Sequence, residues 1–165
     1  MTTIGNKHIL MTAKDSNHAF TPKTSTQRLV TIQHSVGPIF LDAHEIQELD
    51  FNVVTRSFQN NNTQQWVLTD MGGGFYTIMQ VSSGRFLDAH EIESLDFRVV
   101  TRPRQNNNTQ LWRLIDFGGA FFTIQQASSG RFLEAYITDT MGFQAVTRPE
   151  RPGNNVQLWR IVDAQ

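Results

Sequence analysis

The stretch Phe40–Trp66 reads FLDAHEIQELDFNVVTRSFQNNNTQQW, and 46 residues later Phe86–Trp112 reads FLDAHEIESLDFRVVTRPRQNNNTQLW. The two copies agree at 21 of 27 positions. A third, looser copy, one residue longer, runs from Phe132 to Trp159 as FLEAYITDTMGFQAVTRPERPGNNVQLW. Upstream of each copy, LVTI (29–32), FYTI (75–78) and FFTI (121–124) keep the same 46-residue spacing. Self-similarity at a fixed period marks an array of one supersecondary unit that cannot bury its apolar face alone.

Each unit holds four short runs rich in Val, Ile, Phe and Thr, residues that suit a pleated, half-buried surface. In the second copy the predicted strands are Phe75–Val81, Arg85–Ala89, Phe97–Arg102 and Leu111–Ile115. Ser82-Ser83-Gly84, Asn106-Asn107-Asn108 and Gly118-Gly119 supply the turns around them. Pro103 and Pro149 follow the third strand, where a missing N–H harms pairing least. No window keeps a helical period over ten residues, which sets aside helical repeats of similar length, and three units are fewer than a propeller needs. The expectation is therefore all-β: a β-trefoil of three four-stranded repeats with pseudo-three-fold symmetry. The repeats occupy about 26–71, 72–117 and 118–165 of one domain. Residues 1–25 form a leading arm that carries all three lysines, Lys7, Lys14 and Lys23. Phe20, one period before Trp66, is expected to take a tryptophan-like position or to pair with the C-terminal strand Trp159–Val162.

Composition narrows the function. A chain of 165 residues buries about two-thirds of its unfolded surface, enough for a core without staples. It has no cysteine, so disulfides and thiolate metal sites are excluded. The formal net charge is −1, with acids and bases interspersed, which is not the electrostatic footprint of a nucleic-acid binder. The first ten residues, MTTIGNKHIL, lack the apolar run of a signal peptide, and no stretch reaches the length of a membrane span. The expected setting is cytoplasmic, or release without a signal peptide, with no membrane insertion. Charged residues make up only 18%, and a surface of neutral amides and hydroxyls suits polar, uncharged ligands.

Gln-x-Trp recurs three times after a turn, at Gln64/Trp66, Gln110/Trp112 and Gln157/Trp159. With it comes Gly-Arg-Phe-Leu-Asp-Ala at 84–89. In these motifs the chain resembles the ricin B-type β-trefoil lectins over residues 29 to 162. The tryptophans are expected to fill the core between barrel and cap, and the glutamines to satisfy backbone groups of the hairpins. The resemblance implies that the Leu-Asp carboxylate accepts sugar hydroxyls. That role falls on Asp42 and Asp88, with Glu134 in the third copy; pairing with the VVTR arginines Arg56, Arg102 and Arg148 is the alternative.

The family's aromatic platform at the end of the third strand is replaced here by Val54-Thr55-Arg56 and Val100-Thr101-Arg102. The aromatic candidates are then His44, His90 and Tyr136, two residues past each acid and so on the same strand face. Asn62 and Asn108, beside the Gln-x-Trp, either bond a second hydroxyl or only form the turn. The arginines, retained in all three copies, are scaffold, or else recognise a ligand carboxylate.

No nucleophile elbow, phosphate loop, dinucleotide fingerprint or HExxH motif occurs. The acidic runs Glu45–Asp50 and Glu91–Asp96 lack calcium-loop spacing and read as solvated hairpin loops. The expected protein is no enzyme and needs no cofactor or metal. It is a lectin that recognises glycans or glycoconjugates multivalently through repeated shallow sites, without nucleic acid, and compatible with homo-oligomers. A trefoil protease inhibitor and a protein-interaction or toxin-targeting module that binds no sugar are the alternatives, since the fold alone excludes neither.

Overall fold

The computed structural model describes residues 26–165; the leading arm, and with it the placement expected for Phe20, lies outside them. The first repeat supplies β1 (Gln27–His34), β2 (Ile39–Ala43), β3 (Val53–Ser57) and β4 (Trp66–Gly72). The second supplies β5 (Phe75–Gln80), β6 (Phe86–Ala89), β7 (Val99–Arg102) and β8 (Trp112–Gly118). The third supplies β9 (Phe121–Gln126), β10 (Phe132–Ala135), β11 (Ala145–Arg148) and β12 (Trp159–Asp163). The helical pieces among the described residues are single 3-10 turns of three residues.

Antiparallel pairing runs β1–β4, β4–β5, β5–β8, β8–β9, β9–β12 and β12–β1, so six strands close a barrel with no free edge. The other six form hairpins β2–β3, β6–β7 and β10–β11 that cap one end. Bridges Asn52–Val100, Arg98–Val146 and Gln144–Val54 link each hairpin to the next around the three-fold axis. This is the β-trefoil. Alternation puts Val30 and Ile32 of β1, Leu68 of β4 and Ile78 of β5 into the barrel, and Trp66, Trp112 and Trp159 are fully buried beneath the cap.

Two strand ends of the second repeat differ from expectation by more than one residue. The strand expected at Phe97 starts at Val99, because Asp96 and Phe97 turn through left-handed backbone (φ 52° and 50°). Phe97 thereby lies under the Arg131 guanidinium, 3.7 Å from its ring centre. The strand expected to stop at Ile115 runs on to Gly118, through a bulge that lets Gly118 pair with Phe121.

One buried group breaks the symmetry. Gln80 and Gln126 donate their side-chain amides to the Thr63 and Thr109 carbonyls, each 2.9 Å away. His34 stands at the same place in the first repeat, with Nε2 3.0 Å from the Val156 carbonyl and Nδ1 accepting from Val36 N–H. Burial outweighs that carbonyl and lowers the His34 pKa below 6.5. The unfolded chain therefore holds this proton more tightly than the folded one. Its contribution to stability is complete above about pH 6.5 and is lost as pH falls toward the folded-state value. His34→Gln, which copies the other repeats, is expected to keep the fold and flatten the dependence of unfolding midpoint on pH between about 7.5 and 5.5. An equally steep variant would refute this assignment.

Candidate functional site

The Gln-x-Trp residues hold the hairpins onto the barrel. Each indole N–H donates to the carbonyl of the leucine preceding the acid: Trp66 to Leu41 (3.1 Å), Trp112 to Leu87 (3.0 Å) and Trp159 to Leu133 (3.0 Å). Each glutamine clamps the segment after the third strand of its repeat. Gln110 donates to the Pro103 carbonyl and accepts from Gln105 N–H, and Gln64 and Gln157 do likewise with their own repeats.

The acids of the Leu-Asp motif lie below the surface. Asp42, Asp88 and Glu134 are 0%, 6% and 5% exposed. One oxygen of Asp42 and one of Asp88 accepts from the next residue's own backbone N–H. Gln110 and Gln157 donate to Asp88 (3.1 Å) and Glu134 (3.2 Å), and Arg151 also reaches Glu134. Gln64 does not donate to Asp42, whose Oδ2 is buried without a hydrogen-bond partner among the described residues and lies 4.0 Å from Arg56.

The arginines reach across repeats. Arg102 donates to the Asp50 carboxylate (2.6 Å) and to the Asp50 carbonyl (3.1 Å), and His90 Nε2 meets the other carboxylate oxygen at 2.6 Å. One period on, Arg148 meets Asp96 in the same way, and the Tyr136 hydroxyl donates to the second oxygen at 2.7 Å. Burial would raise the Asp50 pKa, but the His90 hydrogen bond and the charge and bonds of Arg102 outweigh it, so the net shift is downward. Tyr136 is pushed up, first by burial and then by its bond to Asp96. In the first repeat Arg56 instead donates to His44 Nδ1 (3.1 Å), because Gly142 occupies the place of Asp50 and Asp96. Burial, then the charge of Arg56, lowers the His44 pKa.

A separate cleft of about 570 Å³ opens on the first repeat's flank, within the range of small-ligand sites. Its wall is Phe58, 60% exposed, packed edge to face on Phe40 with ring centres 5.4 Å apart. Gln33, Asn60, Asn61 and Gln65 bring neutral amides around it, and Arg160 and Asp163 bring charge. The matching cleft of the second repeat is lined by Phe86 and Arg104, with Arg104 standing 5.5 Å over the Phe86 ring.

The sequence model of the family described as ricin-type beta-trefoil lectin domain-like matches residues 16–96 and again 62–142. This chain belongs to that family. Among solved structures, the ricin-type chain is similar to a designed three-fold symmetric protein, ThreeFoil. The TM-score is 0.73 at 26% identity, over 82% of this chain and 99% of that one. It is also similar to a Polyporus squamosus lectin solved with the epitope Neu5Aca2-6Galb1-4GlcNAc (TM-score 0.71, 16% identity, 86% of this chain and 50% of that one). SeviL, solved with asialo-GM1 saccharide, matches with TM-score 0.65 at 16% identity, over 85% of this chain and 100% of that one. No curated protein matches the sequence.

In this ricin-type trefoil the expected site residues fall into separate places. His44 and Arg56 meet at one junction between repeats, His90 and Arg102 at the next, and Tyr136 and Arg148 at the third. Asp42 and Asp88 turn inward instead of sharing an outer face with the histidines. Asn62 and Asn108 are exposed on their turns, where the capping side chains are the neighbouring Asn61 and Asn107. Asp50 and Asp96, read from sequence as solvated, are the arginines' partners. Phe58 was missed as an aromatic because it lies one residue beyond β3. Its signal was replacement by Arg104 and Glu150 in the other copies, which no core position would tolerate.

Proposed function

We propose that the chain is a carbohydrate-binding lectin that engages glycans at shallow clefts on its flank, with Phe58 as the stacking platform of the one on the first repeat. The observation that carries this is an exposed aromatic ring rising from a cleft lined by neutral amides. A ring face suits the C–H face of a sugar, and Gln33, Asn60, Asn61 and Gln65 offer donors and acceptors for its hydroxyls. Asp42, Asp88 and Glu134 support the hairpins beneath and do not touch the sugar in this reading. The second cleft, with Phe86 and Arg104, differs in chemistry, so multivalency comes from unlike sites on one scaffold. A millimolar site is worth only about −4 kcal/mol, and several sites meeting one glycan surface gain through effective concentration.

The test is a glycan array with wild type beside Phe58→Ala. The exposed ring makes no core contact that the fold needs, so the variant should fold and bind about tenfold more weakly, a loss of about 1.4 kcal/mol. Equal binding by both proteins would move the site elsewhere. Binding to no glycan at all would overturn the lectin reading in favour of a scaffold for protein contacts.

A further inference from the structure

We propose that the junction between the third and first repeats is a binding site for a ligand carboxylate, formed by Arg56 and His44 and left open by Gly142. The protein carries its own template for this site twice. At the other two junctions an arginine and a second donor, His90 or Tyr136, hold the two oxygens of one carboxylate supplied by the preceding repeat. The backbone frame is the same at all three. Asp50, Asp96 and Gly142 each end a 3-10 turn in left-handed backbone, at φ 52°, 52° and 64°. The next residue's carbonyl accepts from Thr101, Thr147 and Thr55 N–H at 3.0, 2.9 and 2.9 Å. What differs is one side chain. Among the described residues, a Cβ on Gly142 would meet nothing within 4 Å, so the carboxylate is missing where the frame would place it.

The groups around that space carry the marks of an unfilled partner. The Arg56 side chain is 37% exposed, against 23% for Arg102 and 14% for Arg148. Among the described residues Asp42 Oδ2 has no hydrogen-bond partner, and Arg56 stands 4.0 Å from it, so the guanidinium makes no close carboxylate contact there. Arg56 Nη2 stands 3.1 Å from His44 Nδ1 and 3.4 Å from Nε2; with Nδ1 as the acceptor, neutral His44 carries its proton on Nε2, the counterpart of the Tyr136 hydroxyl that donates to Asp96. An incoming carboxylate takes one bond from Arg56 and one from His44. Arg56 then swings away from Asp42, and Gln64 Nε2 takes up the Asp42 oxygen as Gln110 and Gln157 do for Asp88 and Glu134. Charge-assisted, two-pronged recognition of this kind favours a carboxylate over a neutral group. That the carboxylate belongs to an acidic sugar rests on the lectin reading; the carboxylate preference itself does not.

The experiment is an NMR and calorimetric titration of the full chain with acetate, glucuronate and glucose, at constant ionic strength set with chloride. Acetate and glucuronate are expected to shift the Gly142 amide and His44 signals at one equivalent, and glucose to leave them unmoved. Gly142→Asp supplies the internal carboxylate and should weaken acetate and glucuronate binding at least tenfold while the neutral-glycan response of the Phe58 cleft persists. Asp50→Gly, which opens the second junction, should raise the stoichiometry to two and have its unfolding midpoint lifted by acetate. Glucuronate binding unchanged in Gly142→Asp, or acetate acting no differently from chloride, would overturn the proposal. Glucuronate binding with acetate and without any glycan on the array would keep the carboxylate site and remove the lectin reading alone.

Discussion

Trp112→Ala is expected to destabilise the protein by about 3–5 kcal/mol, the range for deleting a large aromatic from a packed core. Trp112 is fully buried with Leu87 and Leu133 in one cluster, and three hairpins and the barrel converge there, so the cavity has little room to collapse. The change also removes the only donor that the indole gives the Leu87 carbonyl. Against a total stability of about 5–15 kcal/mol, this leaves the chain marginal and lowers its melting temperature by on the order of 10 °C. Urea unfolding followed by circular dichroism checks it, with the midpoint moving and the slope unchanged. Trp66→Ala and Trp159→Ala should behave alike, because the three indoles make the same bond. A loss under about 1 kcal/mol would mean that the indole is not a keystone between barrel and cap.

The fold was readable because three-fold repetition writes the same local instructions three times: a β-rich run, a glycine or asparagine turn, and a tryptophan at constant spacing. Strand ends were less readable where the backbone leaves the ordinary regions. Phe51 and Phe97 adopt positive φ, which their residue type does not announce. The candidate site was only partly legible. Within one repeat, Asp42 and Arg56 look like natural partners, and in the first repeat they do approach to 4.0 Å. In the other repeats the arginine's partner is 52 positions away in the preceding unit, a contact created by closing the ring of hairpins and invisible to spacing inside a repeat. The loss of that partner at Gly142 is visible in the sequence as a substitution, but it acquires meaning only once Asp50 and Asp96 are seen holding Arg102 and Arg148. Phe58 was legible in principle, since an aromatic whose equivalents are Arg104 and Glu150 belongs outside. Its neighbourhood of amides came only from the turn that folds Asn60 and Asn61 back beside Gln33.

Gln110→Ala is the second change expected to act strongly, costing about 2–4 kcal/mol. The glutamine is buried and makes three bonds: it accepts from Gln105 N–H (2.8 Å) and donates to the Pro103 carbonyl (2.9 Å) and to Asp88 (3.1 Å). Truncation removes the partner of all three; the two backbone groups are part-buried, while the Asp88 oxygen is buried, and a buried group left unpaired costs about 1–3 kcal/mol, more when it is charged. Gln64 makes the two backbone bonds but not the bond to the acid, so it serves as an internal control. Gln64→Ala should cost about 1–2 kcal/mol less than Gln110→Ala, the worth of one hydrogen bond to a charged group. The double-mutant pair Gln110→Ala with Asp88→Ala should recover part of the loss, since removing the orphaned carboxylate relieves its desolvation. Equal costs for the two glutamines, with no recovery in the pair, would show that the acid draws nothing from Gln110. Asp88 would then be as free as Asp42, and the difference between the first junction and the others would lie in Gly142 alone.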